Sequence, residues 1–456
     1  AIFAGGRGRP LELLGIGHQR ARGVKAGVIT DIEAAEGAVR AVVNQAERMA
    51  GLTLQSIVLA VSCGRLKSQT FAASARLEDG VVSDNDVARV ASAGRAYAER
   101  DGRTLLHLNG LGFRLDGAGG IADPRGLAGR ELAADLHAVT ADEAPLRNLL
   151  HVIERCYLEP EDALPAPYAS ALAVTTGEER HHGCISIDMG AGTTTMSFFV
   201  DGSLAGVDSI AVGGNHISYD VARALGATLD DAERIKTLYG SLAAAHSDAH
   251  EIIPYQIVDG TDRMPGQVTR AGLRDVIRPR VEAVFGLVHE RIAATRLPAR
   301  VFQRAIITGG ASQLVGLGDF AADVLGRPVR IARPEAIGAM PAAMCTATAS
   351  STLDSVPSNA SPGASRRPPG ARRPRSSRSS ATPATIRASG PASRRKARQP
   401  ATAGSSSRPG TRYRDLPCSS AHSLPFQPAG SAVPTSTSRR RRPSTALATA
   451  AVLSLL

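Results

Sequence analysis

Apolar residues in the first sixty positions form two short runs with a helical stripe between them. The runs LELLGIG (11–17) and SIVLAVS (56–62) have the length and composition of strands. The stripe repeats every three or four residues, which predicts a helix that Thr30 or Asp31 could cap. Its apolar positions are Ile32, Ala35, Val39, Val42, Ala46 and Met49. We therefore expect a strand, a helix and a strand, in a sheet that begins before Ala1.

The pattern changes between residues 75 and 158. A short strand leads into a helix that begins near Ser83, and two strands are predicted at 105–108 and 112–115. ELAADLHAVTA (131–141) predicts another strand, and a helix follows at 143–156. That helix has one apolar face, formed by Leu146, Leu149, Leu150, Ile153 and Cys156. These elements indicate a compact insert of strands and helices.

A helix from Pro167 precedes three further strands. The segments ISIDMGAGTTTMSFFV and DGSLAGVDSIAVGG have short turns between apolar runs, which predicts an antiparallel meander. Two helices follow at 215–224 and 228–238.

The last folded segment combines one long helix with a buried strand. The helix is predicted at 270–294, and Pro279 should kink it. Its apolar stripe is formed by Leu273, Ile277, Val281, Val284, Leu287, Val288 and Ile292. AIITGG (305–310) predicts a strand that ends in glycines, and Ser312 is expected to begin another helix.

After about residue 345 the periodicity ends. Ser, Pro, Ala, Arg and Thr dominate residues 346–456, which predicts a disordered tail, although the abrupt change also fits a shifted reading frame. Residues 350–456 hold 18 of the 53 Lys and Arg residues but 2 of the 42 Asp and Glu residues. The basic charge therefore belongs to the tail, and it says little about nucleic-acid binding by the folded part.

The cysteines are scattered and no pair has CxxC spacing, which favours a reducing compartment with thiols as small core residues. They are Cys63, Cys156, Cys184, Cys345 and Cys418. We interpret His181-His182 as a solvated loop end rather than a metal site. No run approaches the ~20 apolar residues that span a bilayer.

The segment ISIDMGAGTTTMSFF (185–199) carries the first candidate site. A strand delivers Asp188 to a turn in which Gly190, Ala191 and Gly192 leave backbone N–H groups open to phosphate oxygens. Thr193 and Thr194 would add hydroxyl donors, and Asp188 would orient Mg²⁺ or its waters. The alternative is an ordinary glycine hairpin.

Three further segments have weaker signals, each with a plain alternative. In AIITGGASQLVGL a strand ends in Gly309-Gly310 and a helix N-terminus would favour negative charge, but this is also a common connection. AVGGNHISYDVA (211–222) has a similar form. In DDAERIKTL, Glu233 and Lys236 lie on one helix face, where a solvated ion pair is the default.

In combination, the motifs D-x-G-x-G-T-T, G-G-N, A-E-x-I-K and T-G-G-A-S resemble the nucleotide site of the actin/Hsp70/sugar-kinase superfamily. The resemblance implies an α/β, actin-like two-lobed ATPase fold with ribonuclease H-like motifs and an adenine nucleotide between the lobes. Asp188 would hold Mg²⁺ through water. The implied ATP-binding residues are Asp188, Gly190, Ala191, Gly192, Thr193, Thr194, Gly213, Gly214, Asn215, Glu233, Lys236, Gly309, Gly310, Ala311 and Ser312.

Within that superfamily, ARGVKAGVITDIEAA, IERCYL (153–158) and the AERIK segment resemble the FtsA family of bacterial cell-division proteins. The insert at 75–158 falls where that family carries its own subdomain. The resemblance implies ATP and Mg²⁺ as ligands, and a place on the cytoplasmic face of the inner membrane at the division septum. The implied partners are the tubulin-like FtsZ, other copies of the chain, other divisome proteins through the insert, and the membrane surface. No nucleic-acid partner is expected.

The resemblance also predicts the domains. The first lobe would be 1–74 and 159–183, the insert 75–158, the second lobe 184–224 and 301–345, its outer subdomain 225–300, and the disordered tail 346–456.

Three features of the sequence depart from the family pattern. The first phosphate loop would precede residue 1. Ala166 stands where chaperone relatives have a catalytic glutamate before Pro167, which implies weak or no ATP hydrolysis and no catalytic residue. ALATAAVLSLL near the C-terminus lacks the amphipathic pattern of a membrane helix, although four arginines (439–442) precede it.

Other functions stay open. A sugar-kinase-like phosphotransferase of the same superfamily would need an aspartate base opposite the γ-phosphate, and the sequence offers no candidate. A third hypothesis makes the Arg/Ser tail a nucleic-acid tether on an inert body. A chaperone ATPase is disfavoured by Ala166 and by the lack of a substrate-binding domain.

Overall fold

The computed structural model describes residues 1–5, 12–62, 65–259, 262–295, 297, 301 and 303–334, together with 385–387 and 449–454. The predicted disordered tail lies outside the described residues except for the last two segments, where the structure has short strands instead.

The strands in the described residues are β1 Ile2–Ala4, β2 Glu12–Gly15, β3 Val24–Lys25, β4 Val28–Ile29, β5 Ser56–Val61, β6 Lys67–Arg76, β7 Arg103–Leu115, β8 Ala118–Ile121, β9 Glu131–Asp142, β10 Glu159–Pro165, β11 Cys184–Met189, β12 Thr194–Val200, β13 Ser203–Ile210, β14 Ile252–Asp259, β15 Asp262–Thr269, β16 Ala305–Thr308, β17 Val329–Ile331, β18 Thr385–Arg387 and β19 Thr449–Ser454. The helices are α1 Ile32–Ala50, α2 Asp84–Ala98, α3 Glu143–Arg155, α4 Ala166–Val174, α5 Gly177–His182, α6 Gly214–Leu225, α7 Leu229–Tyr239, α8 Arg270–Ala294 and α9 Leu317–Leu325. The described residues also include 3-10 turns at His246–Ala249 and Gly310–Gln313.

The first sheet has the strand order β10-β5-β19-β1-β2, with β19 parallel to β5 and antiparallel to β1. Helix α1 is capped at its N-terminus by Asp31, whose carboxylate accepts a hydrogen bond from the backbone N–H of Ala34. Its C-terminal cap is Gly51, which adopts a left-handed φ of 69°. Val39 of α1 is buried in the core, but Met49 is 60% exposed because the last turn extends past the buried stripe. The apolar stripe predicted for this helix is therefore not buried as far as Met49.

The insert is a sheet in the order β18-β6-β9-β7-β8, covered by α2. Ser83 caps α2 in a capping box with Asp86, as its sequence predicts. The two strands predicted at 105–108 and 112–115 are one strand, β7, because two irregularities in its register absorb the glycine-rich middle. Strand β6 begins before the predicted boundary at 75, and α3 packs into the first core. The division into domains stays a prediction.

The second sheet has the order β13-β12-β11-β16-β17, in which β11 to β13 form the predicted meander and β16 is parallel to β11. Every residue of β11 is buried. One face of the sheet packs on α6, α8 and α9, and α4 lies against the other. Helix α8 has the predicted bounds and continues through Pro279, but Leu287 is 36% exposed on its outer side and does not belong to the buried stripe.

Two local predictions need correction, and one hairpin was missed. The helix expected at Ser312 is a 3-10 turn at Gly310–Gln313, and α9 begins only at Leu317, after the left-handed Gly316 breaks the chain direction. The β14–β15 hairpin was not predicted, because Pro254, Pro265 and Gly266 interrupt its apolar alternation. His181 and His182 lie exposed in the last turn of α5 rather than in a loop.

A polar clasp joins the insert to the edge strand β13. Ser68 accepts a hydrogen bond from the backbone N–H of Val207 (3.0 Å), and its Oγ lies 2.8 Å from Nε2 of His137. Nδ1 of His137 lies 3.2 Å from Oδ1 of Asn109, whose amide donates to the carbonyl of Leu204 at 3.2 Å. One tautomer satisfies all these bonds, with the proton on Nδ1 and Nε2 accepting from Ser68. Side chains of the insert thus cover polar groups that an edge strand leaves open.

Replacing Ser68 with alanine is expected to lower the free energy of unfolding by about 1–3 kcal/mol, because it leaves two buried polar groups without partners. Those groups are Nε2 of His137 and the N–H of Val207. Urea unfolding of the parent and the variant measures the difference. Ser92→Ala removes an exposed serine from α2 and is the control. Equal unfolding midpoints for the parent and Ser68→Ala would contradict a stabilising clasp.

Candidate nucleotide site

The centre of the site is the junction between the ends of the parallel strands β11 and β16. Asp188 stands opposite Thr308 in the register and is 6% exposed. Asp188 lies on the face of the sheet that packs against α4. Ser197 lies on the same face and donates a hydrogen bond to the carbonyl of Pro167, in the first turn of α4, at 2.8 Å. The sequence prediction that a strand delivers Asp188 to a glycine turn agrees with these positions.

Gly309 is required by its contact with Asp188. Its φ is +93°, and a Cβ atom there would lie 2.4 Å from Oδ1 of Asp188 and 2.6 Å from the carbonyl oxygen of Met189. Ser312 closes the turn, because its hydroxyl and its backbone N–H both donate to the carbonyl of Gly309 at 2.7 and 3.1 Å. The two glycine motifs, distant in sequence, are therefore in direct contact.

The turn at 190–193 is anchored to the start of α6 through its carbonyl groups. The N–H of Gly190 donates to the carbonyl of Thr193 at 2.9 Å. The carbonyls of Gly190 and Ala191 accept from the N–H groups of Gly214 and Asn215 at 2.9 and 2.8 Å. These bonds satisfy two donors that a helix N-terminus leaves open, so they fix the turn against the G-G-N motif.

Two contacts define the surroundings of the turn. The hydroxyl of Thr194 donates to the carbonyl of Val212 at 2.8 Å. The sequence analysis predicted that this hydroxyl would donate to a ligand, but in the structure its proton is used within the protein. A Cβ atom on Gly192 would lie 3.4 Å from the backbone of Ala26, which occupies the β3–β4 turn of the first lobe. Sequence reasoning missed Ala26, whose only signal was its place in a loop that contains Gly23 and Gly27.

Glu233 and Lys236 do not form the solvated ion pair that was the default alternative. Lys236 is 8% exposed, and its ammonium donates to Glu233 (2.7 Å), Ser218 (2.9 Å) and the carbonyl of Gly214 (3.2 Å). Burial raises the pKa of Glu233, but the hydrogen bonds from Lys236 and Ser218 outweigh it, and the pKa lies below its ordinary value. Glu233 is therefore an ionised acceptor.

Gly214 lies where the predicted segments meet. A Cβ atom there would be 3.1 Å from the Cβ of Ala311, 3.6 Å from Nζ of Lys236 and 3.7 Å from the carbonyl oxygen of Gly190. The structure thus brings together all four segments that the sequence singled out. Gly310 has open space around its Cα, which leaves its backbone accessible.

Sequence reasoning missed Ser218, which bonds to both Glu233 and Lys236. A signal was present, because Ser218 is a polar residue within the buried stripe of α6, between Ile217 and Val221. Ala166 is buried beside Ala60, so the start of α4 offers a methyl group and no proton acceptor.

A separate groove of about 680 Å³ lies between α6 and α8. It contains the bidentate ion pair of Arg280 with Asp220, at 2.6 and 3.0 Å. None of the predicted site residues lines it.

Two family models match the chain. One, described as cell division protein FtsA, matches residues 185–351, which include the β11–β16 junction. The other, described as an SHS2 domain inserted in FtsA, matches residues 63–140 and overlaps the insert sheet.

Relatives with similar sequences have the same description as the first family model. The cell division protein FtsA of Agrobacterium fabrum is 42% identical over 339 residues, which cover 74% of this chain and 76% of that protein. The protein of the same name from Escherichia coli is 29% identical over 333 residues, 71% of this chain and 78% of the relative. Among solved structures, the PilM–PilN type IV pilus biogenesis complex aligns with a TM-score of 0.51 at 15% identity, over 77% of this chain and 91% of the matched chain.

The likeness to the pilus protein concerns the fold alone. Together with the family matches it confirms the predicted fold class, an actin-like two-lobed α/β fold with an inserted βα subdomain. Since one relative shares 42% of its residues over three quarters of each chain, and the matched segments carry the junction described above, this chain belongs to the FtsA family of cell division proteins.

Proposed function

We propose that this protein is an ATP-binding, actin-like scaffold of cell division that assembles at midcell and links the FtsZ ring to the cytoplasmic face of the inner membrane. The observation that carries the proposal is the close contact of Asp188 with the backbone of Gly309. A side chain on Gly309 would occupy the space beside the Asp188 carboxylate, which glycine leaves open. Membership of the FtsA family supports the role in division.

The residues at the junction fit Mg-ATP. A carboxylate is the ligand type that Mg²⁺ prefers, and Asp188 would hold the ion through its waters. The backbone around Gly190, Gly192 and Gly310 would approach the phosphates, while Glu233 and Lys236 would lie on the sugar and base side. Bound Mg²⁺ would neutralise phosphate charge, and the chain's own residues would orient the nucleotide.

We infer that ATP acts as an assembly ligand more than as a substrate. Ala60 and Ala166 form the apolar pair at the start of α4, and neither can accept a proton from water. A water molecule there would have no base to orient it, so hydrolysis would be slow or absent.

The partners we propose are FtsZ, further copies of this chain, other division proteins through the insert, and the inner membrane surface. In the part of the chain that the structure describes, no helix has the length and apolar character needed to cross a bilayer. The arginines at 439–442 lie outside the described residues.

Asp188→Ala in the full-length protein is expected to weaken Mg-ATP binding roughly tenfold or more, because it removes the carboxylate that would hold the ion. Isothermal titration with ATP and Mg²⁺ measures the affinity. Asp323→Ala, which removes an exposed carboxylate from α9, is the control. If Asp188→Ala binds Mg-ATP as tightly as the parent, the site is assigned to the wrong residues.

A further inference from the structure

The second sheet is polar on the face that packs against α4. Every residue of β11 is buried, and its alternate residues Ser186 and Asp188 lie on this face. Ser197 of β12 stands opposite Ser186, and Thr308 of β16 stands opposite Asp188. Residues paired in this way share one face of a sheet. A layer of hydroxyl groups therefore lies beside the carboxylate that we place on Mg²⁺.

Two hydroxyls of this layer differ from their neighbours. Ser186 is 3% exposed and Thr308 is 0% exposed. Among the residues that the structure describes, neither Oγ of Ser186 nor Oγ1 of Thr308 has a hydrogen-bond partner. Ser197 and Ser170 are also buried, but their hydroxyls donate to backbone carbonyls in the first turn of α4 at 2.8 and 3.0 Å. The protein thus satisfies the second pair of hydroxyls internally and not the first.

A buried hydroxyl without a partner is unfavourable, because folding removes its hydrogen bonds to water and supplies none in return. Valine has nearly the shape of threonine, and it would fill the space on β16 without that cost. Internal water molecules commonly satisfy buried polar groups, and each of them makes about three hydrogen bonds. The two hydroxyls therefore indicate a bound water molecule.

The Asp188 carboxylate is the third polar group at this place. It is 6% exposed, and a Cβ atom on Gly309 would lie 2.4 Å from its Oδ1. Since Gly309 directly follows Thr308, the carboxylate is turned toward the end of β16. A water there would accept a proton from a hydroxyl and donate one to the carboxylate. Two hydroxyls and a carboxylate supply the number of partners that an internal water needs.

We propose that Ser186 and Thr308 bind an internal water that donates to the Asp188 carboxylate and fixes its orientation, which makes Thr308 a positioning residue for Mg²⁺ binding. This inference rests on the proposed binding of Mg-ATP at Asp188. A carboxylate that is already held in place loses less freedom when an ion binds, so the hydroxyls would strengthen the binding of Mg²⁺ without contacting the ion.

The first test measures ATP affinity by isothermal titration, with Mg²⁺ and with EDTA, on the parent, Thr308→Val and Thr308→Ser. Thr308→Val removes the hydroxyl and keeps the shape, and it is expected to bind Mg-ATP about tenfold more weakly than the parent. Its affinity for ATP in EDTA should equal that of the parent, because the carboxylate acts on the ion. Thr308→Ser keeps the hydroxyl and should bind Mg-ATP as the parent does.

Thr175→Val is the matched control. Thr175 is a buried threonine at the other end of α4, and its hydroxyl donates to the carbonyl of Ala171 at 2.7 Å and accepts from Arg180 at 3.0 Å. The control should melt at a lower temperature than the parent and keep the parent's affinity for Mg-ATP. Thr308→Val should show the opposite pattern, with a melting temperature close to the parent's and a weaker affinity. Circular dichroism without nucleotide measures the melting.

Two further measurements test the route through Asp188. In a double-mutant cycle, Thr308→Val should cause no further loss of Mg-ATP affinity once Asp188→Ala is present, because the group that it positions is gone. A crystal structure of the nucleotide-free parent should show a water within hydrogen-bond distance of Oγ of Ser186 and Oγ1 of Thr308.

The outcomes separate the two proposals. Equal weakening of ATP binding with Mg²⁺ and with EDTA in Thr308→Val, or additive losses in the double variant, would overturn the role of Thr308 and leave ATP binding intact. A parent structure without a water at the two hydroxyls would overturn it as well. A parent that binds no ATP under either condition would overturn ATP binding itself, and the inference with it.

Discussion

Gly309→Ala is expected to destabilise the second lobe by about 2–4 kcal/mol and to abolish measurable Mg-ATP binding. Gly309 has a φ of +93°, which L side chains rarely adopt. A Cβ atom would also lie 2.4 Å from Oδ1 of Asp188 and 2.6 Å from the carbonyl of Met189. Both neighbours belong to the buried strand β11, so neither can move without separating the strands or displacing the carboxylate that we place on Mg²⁺.

Urea unfolding and nucleotide titration measure the two effects of Gly309→Ala. Gly310→Ala is the control for stability, since a Cβ atom on Gly310 meets nothing within 4 Å. We expect that control to unfold within about 1 kcal/mol of the parent. A Gly309→Ala variant with the parent's unfolding midpoint would show that the junction tolerates a side chain and that its close contact is not required.

Acidification from pH 6.5 to 5 is expected to lower the free energy of unfolding by about 3 kcal/mol, through two histidines of the insert. Burial lowers the pKa of His137 to about 3, with a smaller contribution from the charge of His107. Burial lowers the pKa of His107 to about 4. His107 packs on Tyr168 with ring centroids 4.5 Å apart.

The unfolding free energy falls on acidification because the unfolded chain binds protons at a higher pH than the folded protein does. In the unfolded chain a histidine binds a proton below about pH 6.5, whereas both folded histidines stay neutral until about pH 4 or 3. The two histidines have little effect on stability well above pH 6.5, and they lower it increasingly as the pH falls toward the folded pKa values. The slope for each histidine is about half of 1.4 kcal/mol per pH unit at pH 6.5 and approaches that value about one unit lower.

Urea unfolding at several pH values between 7 and 5 measures this slope. His137→Gln removes one of the two groups and should reduce the slope by about half. His289→Gln replaces an exposed imidazole on α8 and should leave the pH dependence of the parent unchanged. A free energy of unfolding that does not change between pH 6.5 and 5 would contradict the buried neutral state of both rings.

Local patterns were sufficient for much of this fold. Apolar periodicity and a capping aspartate predicted α1, and the alternation of strand and turn residues predicted the β11–β13 meander. The four candidate segments were also found from the sequence, because glycine turns and charged pairs at helical spacing are local features. That these segments form one site was implied only by their resemblance to a family, since no local property connects them.

Tertiary contacts decided the rest. Register irregularities joined two predicted strands into β7, and the pairing of β14 with β15 overrode the interruptions in their pattern. The buried state of Lys236, the use of the Thr194 hydroxyl, and the tautomer of His137 depend on partners far away in sequence. The sequence by itself therefore determined most of the elements, the resemblance to the family and the candidate segments. Only the packing of distant segments decided which polar groups are satisfied within the protein, because a hydrogen bond depends on distance in space and not on position along the chain.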